Sequence, residues 1–234
     1  MKAIILAAGR GSRMRSLTAE KPKSLVEFRG KPLLEWQLDA LKFNGINEIA
    51  IVTGYRRESF QSYGLVEFNN PRWAETQMVA SLACASDWLE SEPCVVSYSD
   101  IYYLSSGPRL LVECDVDLAI TFDPNWLELW SKRFTDPLED AETFRLDASG
   151  YVINIGEKPK SIDEVQGQYM GLLRFTPFAW CEINRIQSQL TANEQDTIDM
   201  TGLLQKVIED GVLRIAACSY CDTWAEFDSI TDLE

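Results

Sequence analysis

The sequence contains no histidine. That absence removes Ser-His-Asp and Cys-His catalysis, the imidazole general base and the histidine-ligated metal centre. No apolar run approaches the ~20 residues needed to cross a membrane as a helix. Positive charge is scarce: 22 lysines and arginines face 36 acids, for a formal net charge of -14. No basic stripe extends along the chain, so nucleic acid is not an expected partner. Repeats, low-complexity segments and Gly/Ser linkers are absent, which argues for one domain. Of six cysteines, only Cys218-Ser-Tyr-Cys221 forms a C-x-x-C. With no second pair, a zinc or redox role and a chance spacing both fit it, chance the better, and most cysteines sit among apolar residues as reduced core thiols do. The opening Met1-Lys2-Ala3-Ile4-Ile5-Leu6 is too short for a signal peptide and lacks a cleavage site, so a cytoplasmic protein is expected.

What chemistry remains must come from carboxylates, lysines, arginines, backbone groups or an oxygen-bound metal. Against the acidic background, one early loop stands out. Arg10, Arg13, Arg15, Lys21 and Lys23 follow an apolar run and surround Gly9 and Gly11. Small residues let the backbone approach a ligand and aim its N–H groups inward, and the cations would neutralise an anion. The loop is not a Walker loop, because no Lys-Ser/Thr follows Gly11 at the required spacing. It is a poor dinucleotide fingerprint too, with Met14 where a third glycine belongs. A phosphate cradle and a tight strand-to-helix turn with solvated basic residues both fit the spacing.

The coarse pattern is strand–helix–strand. Lys2–Ala8 reads as a strand buried on both faces. Pro32 opens a helix that carries Leu33, Leu34, Trp36, Leu38 and Leu41, with Gly45 beyond its end. Glu48–Thr53, Leu65–Phe68, Cys94–Ser97 and Asp117–Phe122 read as strands, and Thr76–Leu89 as a helix. In the second half, Thr143–Asp147 and Tyr151–Ile155 read as a hairpin. Tyr169–Phe175 and Leu213–Ala217 read as strands, Pro177–Leu190 and Met200–Glu209 as helices, and Trp224–Asp228 as a short extended piece. The predicted fold is α/β: a Rossmann-like, doubly wound, mostly parallel mixed sheet with a smaller acceptor-binding region. Residues 1–234 are expected to form one domain, with a first half over about 1–122 and a C-terminal half over about 123–234.

The stretch "LAAGRGSRM", followed by "KPKSLVEFRGKPLLEWQLDALKFNGINEIAIVTGY", resembles the start of the nucleotidyltransferases that make sugar-nucleotides and CDP-alcohols. "FNNPRWAETQMVASL" is similar to the corresponding stretch of bacterial choline-phosphate cytidylyltransferases. "SYSDIYY", "WLELWSKRFTDPLEDAETFRLD", "GQYMGLLRF" and "WAEFDSITDL" resemble most the CTP:phosphoglutamine cytidylyltransferases that serve modification of a capsular polysaccharide. The resemblance implies a cytidylyltransferase in which an acceptor phosphate attacks the α-phosphorus of CTP and pyrophosphate leaves. It implies Mg2+ as the metal, and CTP and a small phosphorylated acceptor as partners. Phosphocholine, a phosphonate or a sugar 1-phosphate are the alternative acceptors, and a non-catalytic nucleotide-binding regulator the alternative class. A homo-oligomer is compatible with the sequence.

Carried onto this chain, the resemblance makes Arg13, Lys23, Asp100 and Asp228 the candidate catalytic residues. Asp100 and Asp228 would hold the metal, with Glu226 auxiliary. Leu6, Ala7, Ala8, Gly9, Gly11, Arg13 and Lys23 would hold the triphosphate, and Tyr55, Gln77 and Ser81 the base. Each has a plainer reading. Asp100 could turn the chain after a strand, Asp228 could cap a helix over Ser229–Leu233, Tyr55 could be core, and Gln77 and Ser81 could lie on an ordinary polar helix face. For the acceptor, Glu157-Lys158-Pro159 resembles an acceptor-phosphate motif of the sugar enzymes and nominates Lys158. Trp126 and Trp130, four apart, would share a helix face, with Lys132 and Arg133 just beyond. They could pack a core, or Trp126, Lys132 and Arg133 could offer aromatic surface and cations to a zwitterionic acceptor.

Overall fold

The computed structural model describes residues 1–229 and 232, without the side chains of residues 15 and 16. The chain opens with β1 (Lys2–Ala7), then a short ribbon of β2 (Glu27–Phe28) and β3 (Lys31–Pro32), and α1 (Leu33–Phe43). Next come β4 (Ile49–Thr53), β5 (Val66–Asn69), α2 (Met78–Ala83), α3 (Ser86–Leu89), β6 (Cys94–Tyr98), β7 (Ile101–Tyr103) and α4 (Ser106–Val112). The second half runs β8 (Leu118–Asp123), α5 (Trp126–Arg133), β9 (Phe144–Leu146), β10 (Tyr151–Ile155), β11 (Gln168–Phe175) and α6 (Pro177–Gln187). It ends with α7 (Ala192–Thr197), α8 (Met200–Asp210), β12 (Ile215–Ser219) and β13 (Trp224–Glu226).

Nine strands form one sheet in the order β5-β4-β1-β6-β11-β8-β12-β10-β9. β11 runs antiparallel to both neighbours and β10 antiparallel to β12 and β9; the other pairings are parallel. Only β11 and β10 run against the other strands, so the sheet is mixed and, by strand direction, mostly parallel, as the sequence predicts.

β1 is apolar at nearly every position because both its faces are covered. Ile4 and Leu6 point to a core closed by α2, α6 and α8, and Ala3, Ile5 and Ala7 to one closed by α1, α4 and α5. Each large side chain buried this way contributes about 1.5–3 kcal/mol. β1 is also a switch point. The chain leaves it for β4 and β5 on one side and returns to β6 on the other, which opens a crevice beyond the carboxyl ends of β1, β4 and β6. Among the described residues no helix is long and apolar enough to cross a membrane.

The expected helix over Thr76–Leu89 is two helices, α2 and α3. The Ser86 hydroxyl donates to the Ala83 carbonyl at 2.8 Å and competes with the helical ladder at the joint. Gly54 follows β4 where the loop after β1 comes closest. A Cβ there would lie 2.5 Å from Trp73 Cβ and 2.7 Å from the Ala8 carbonyl oxygen. Gly54→Ala is expected to destabilise the fold by about 1–3 kcal/mol, readable in a denaturant melt. A loss below about 0.5 kcal/mol would show that the loop yields freely.

Candidate active site

The loop after β1 lies in the crevice. Gly11 has φ +65°, and a Cβ there would come within 2.9 Å of the Lys23 stem, so glycine lets the two segments touch. Gly9 differs: a Cβ there would meet nothing within 4 Å, and the gap opens into the cavity. That cavity measures about 560 Å³. It is lined by Leu6, Ala8, Gly9, Gly11, Arg13, Lys23, Gln77, Ser81 and Asp100 among the residues nominated from sequence.

Asn70 shapes the opposite wall. Its side chain accepts from the Arg72 N–H at 2.9 Å and donates to the Thr76 and Ser81 hydroxyls, both at 3.0 Å. One amide thus fixes the turn that presents Trp73 and Gln77. Ala7 does not line the cavity, because its side chain falls on the other face of β1. Tyr55 stands behind the wall: its ring packs edge-on against Trp73, and its hydroxyl donates to the Ala19 carbonyl at 2.7 Å.

At the cavity's end, Lys23 Nζ lies 2.8 Å from Asp100 Oδ2 and 2.8 Å from Asp228 Oδ1. Arg13 Nη2 reaches the same Asp228 oxygen at 3.0 Å. Antiparallel pairing of β13 with β7 brings these distant carboxylates together, helped by the Phe227 N–H donating to the Asp100 carbonyl at 3.0 Å. Phe227 is fully buried against Phe28, Leu33 and Tyr102, which seats Asp228 beside it. Burial works against the Lys23 charge. The charges of Asp100 and Asp228, and hydrogen bonds to both, outweigh it and raise the ammonium above the ordinary lysine value. Lys23 is therefore charged at neutral pH.

Two carboxylates that converge on one ammonium form an all-oxygen donor pair. That suits a hard divalent cation brought in on a phosphate, since such ions take one or two carboxylates plus substrate oxygens. Among the described residues no three acidic or cysteine side chains form a ready-made metal cage. Glu226, expected as an auxiliary ligand, instead pairs with Arg133 at 3.3 Å. Burial, then the charges of Asp228 and Asp100, push its carboxyl up to about 8. Excess negative charge therefore surrounds the spot where an added cation would be welcome.

A second chamber of about 280 Å³ adjoins the first. The two share Arg13, Met78 and Tyr98 in their walls. The second is acidic, lined by Asp140, Glu142, Asp199, Glu226 and Asp228. The sequence carried no signal for Glu142 or Asp199, which come from separate loops before β9 and α8.

The residues nominated for the acceptor lie elsewhere. Trp126 is buried in the core and its indole N–H donates to the Val165 carbonyl at 3.0 Å, so it offers no surface to a ligand. Lys132 is exposed and pairs with Glu128 one helical turn away. Arg133 is stacked over Trp130 and holds Asp232 Oδ1 at 3.0 Å. The other oxygen of Asp232 accepts the N–H groups of Asp228 and Ser229, at 2.9 and 2.7 Å. Arg133 thus braces the segment that carries Asp228. Lys158 donates to the Leu138 and Glu139 carbonyls. The alternative reading of Asp228, as cap of a helix over 229–233, lies outside the described residues except at Ser229 and Asp232.

Residues 3–112 match the MobA-like NTP transferase domain. The chain is 36% identical, over all of its own length and 98% of the relative's, to the CTP:phosphoglutamine cytidylyltransferase of Campylobacter jejuni. It is 45% identical to the choline-phosphate cytidylyltransferase of Streptococcus pneumoniae over 35% of this chain and 38% of that one. In fold it is similar to the inositol-1-phosphate CTP transferase of T. maritima, with a TM-score of 0.77 and 20% identity over all of this chain and 91% of that one. Similarity along the whole chain shows that this protein belongs to the cytidylyltransferases of the nucleotidyltransferase family.

Proposed function

We propose that the protein transfers the cytidylyl group of CTP to a small zwitterionic phosphate acceptor of the phosphoglutamine type, releasing pyrophosphate with Mg2+ as the metal. Its setting would be the cytoplasm and its product would serve modification of a cell-surface polysaccharide. The observation that carries this reading is the Lys23–Asp100–Asp228 cluster at the end of a glycine-lined cavity with an acidic chamber alongside. The larger cavity suits the nucleotide, with the triphosphate against the Ala8–Arg13 loop and the base towards Gln77 and Ser81. Asp100 and Asp228 would hold Mg2+, which when bound neutralises triphosphate charge and favours departure of pyrophosphate. Arg13 and Lys23 supply fixed positive charge to the phosphoryl oxygens. No side chain need remove a proton, because a phosphate monoester with a second pKa of about 6 is already largely ionised at neutral pH. That accounts for an active centre without histidine.

The acidic chamber takes the acceptor in this reading, in place of Trp126, Lys132, Arg133 and Lys158. Burial, partly offset by Thr201, raises the Glu142 carboxyl above its ordinary value, and Asp199 and Asp140 push the same way. An ammonium group on the acceptor would restore its charge. A neutral hexose would leave those acids unpaired.

The test is pyrophosphate release with CTP and phosphoglutamine, phosphocholine, 2-aminoethylphosphonate or a hexose 1-phosphate at equal concentration. Phosphoglutamine is expected to give the highest kcat/KM, and a win for the hexose phosphate would overturn the proposal. Glu142→Gln is expected to raise the KM for the acceptor about tenfold, the size of one charge-assisted contact, with the KM for CTP within twofold. Lys132→Ala should change neither. An unaltered acceptor KM in Glu142→Gln would remove Glu142 from the acceptor site.

A further inference from the structure

The other face of the sheet, away from both chambers, carries a cluster that the transfer reaction does not use. Cys218 on β12 donates through its thiol to the Cys114 sulfur at 3.8 Å. Cys114 lies just past the end of α4, and 104 residues separate the two. Beside them runs Arg174 on β11, only 8% exposed, whose Nε and Nη1 are buried without a hydrogen-bond partner. Its register neighbour on β8 is Ala119, and that of Ala119 on β12 is Ala216. Two alanines leave the guanidinium room to lie across the strands towards Cys218. A buried cation with idle donors is expensive to keep unless an anion visits it. The neighbour whose charge Arg174 feels most directly on this face is the Cys218 thiol, which would become an anion as a thiolate.

We propose that Cys114 and Cys218 form a reversible disulfide, a modification site in which Arg174 stabilises the reacting thiolate. In the reduced protein burial, then the neighbouring Cys114, push the Cys218 thiol up to about 12, while Arg174 pulls it down. At rest the Cys218 sulfur therefore keeps its proton and donates it to the Cys114 sulfur. Reaction starts at Cys114. Its thiolate attacks one sulfur of a small-molecule disulfide, that S–S bond breaks, and one thiol leaves with the proton Cys114 gave up. Cys114 then no longer competes for charge, and Arg174 faces Cys218 alone. The Cys218 thiolate attacks the Cys114 sulfur, the protein disulfide forms, and the second thiol leaves with the proton from Cys218. Two protein thiols are oxidised and one external disulfide is reduced to two thiols.

Closing the bond needs the sulfurs to move from 3.8 Å to about 2.05 Å, a side-chain adjustment. The bond would fasten the end of α4 to the strand that leads, through Tyr220, towards Asp228. Tyr220 already ties this segment down by accepting the Leu104 N–H at 3.0 Å. Neither cysteine lines a chamber, so the bond is a staple and not a block.

The test treats the folded full-length protein with glutathione disulfide, then maps peptides without reduction. One linked pair containing residues 114 and 218 is expected, and a melting temperature higher by on the order of 5–10 °C, since a loop this long is constrained. Turnover should stay within about twofold, as no group in contact with substrate moves. Cys114→Ser and Cys218→Ser should each abolish both the link and the shift, and Cys221→Ser neither. Arg174→Met should slow linkage by on the order of tenfold, and Arg174→Lys, which keeps the charge, should slow it much less. Mixed disulfides on Cys181 and Cys221 with no 114–218 link would overturn the site. Linkage at an unchanged rate in Arg174→Met would overturn the role of Arg174. A loss of turnover beyond tenfold that tracks this bond would overturn the staple.

Discussion

Asp100→Asn is expected to lower kcat by a factor on the order of 10²–10³ at saturating Mg2+, with the melting temperature within a few degrees of the parent. The main chain does not depend on the carboxylate. Asp100 turns the chain between β6 and β7, and its carbonyl, which the exchange leaves alone, accepts the Phe227 N–H. Asparagine keeps the shape and still accepts from Lys23. What it loses is one of two negative charges at the proposed metal position. The effect on stability has two opposed parts. Lys23 has a raised pKa in the folded protein, so its pairing stabilises the fold below the ordinary lysine pKa and is lost as pH climbs through the folded value. At neutral pH that stabilisation is fully present, and the exchange removes part of it. Against this, Asp100 is one of the charges that crowd Glu226, and removing it eases that carboxyl back towards its ordinary range. A circular-dichroism melt with steady-state pyrophosphate release separates fold from function. Turnover within threefold of the parent at saturating Mg2+ would exclude Asp100 from the metal site.

How much of this was legible before the structure depends on the part of the chain. Nearly continuous apolar character in β1 can only mean a strand covered on both sides, and a loop of small and basic residues directly after it can only sit at a sheet edge. These two facts locate the larger cavity, and Asp100 in its wall follows from the same logic at the end of β6. The second half offered no such leverage. Trp126 and Trp130 do share a helix face, as their spacing says, but spacing cannot tell whether that face meets the core or a ligand. Here it meets the core, where Trp130 packs on Trp224. Lys132 and Arg133 look alike in sequence, yet one is solvated and the other is committed to Glu226 and Asp232. The acidic chamber was invisible because much of its wall comes from residues around 140, 170 and 200, which only the sheet order of the second half brings together.

Lys23→Met should show which member of the central cluster acts on the transition state. Methionine retains the apolar stem that lies against Gly11, so the exchange removes the charge with little loss of packing. A fixed cation is worth most where charge builds during the reaction, on the α-phosphoryl oxygens and the departing pyrophosphate. The expected result is a fall in kcat by a factor on the order of 10² or more, with the KM for CTP changed less than threefold. The geometry adds a second readout. The Lys23 ammonium occupies the space between Asp100 and Asp228, where it competes with any other cation. Without it, Asp100 loses its ion pair and Asp228 keeps only Arg13, so Mn2+ binding to the protein alone should tighten about tenfold, measurable by titration calorimetry or paramagnetic relaxation. The two readouts are opposed in sign, which a general loss of structure cannot produce. A variant that loses turnover and also loses Mn2+ affinity has lost the site's architecture. A variant that binds Mn2+ more tightly but keeps its kcat, with only the KM for CTP raised, would make Lys23 a ground-state contact to the triphosphate and end the transition-state assignment.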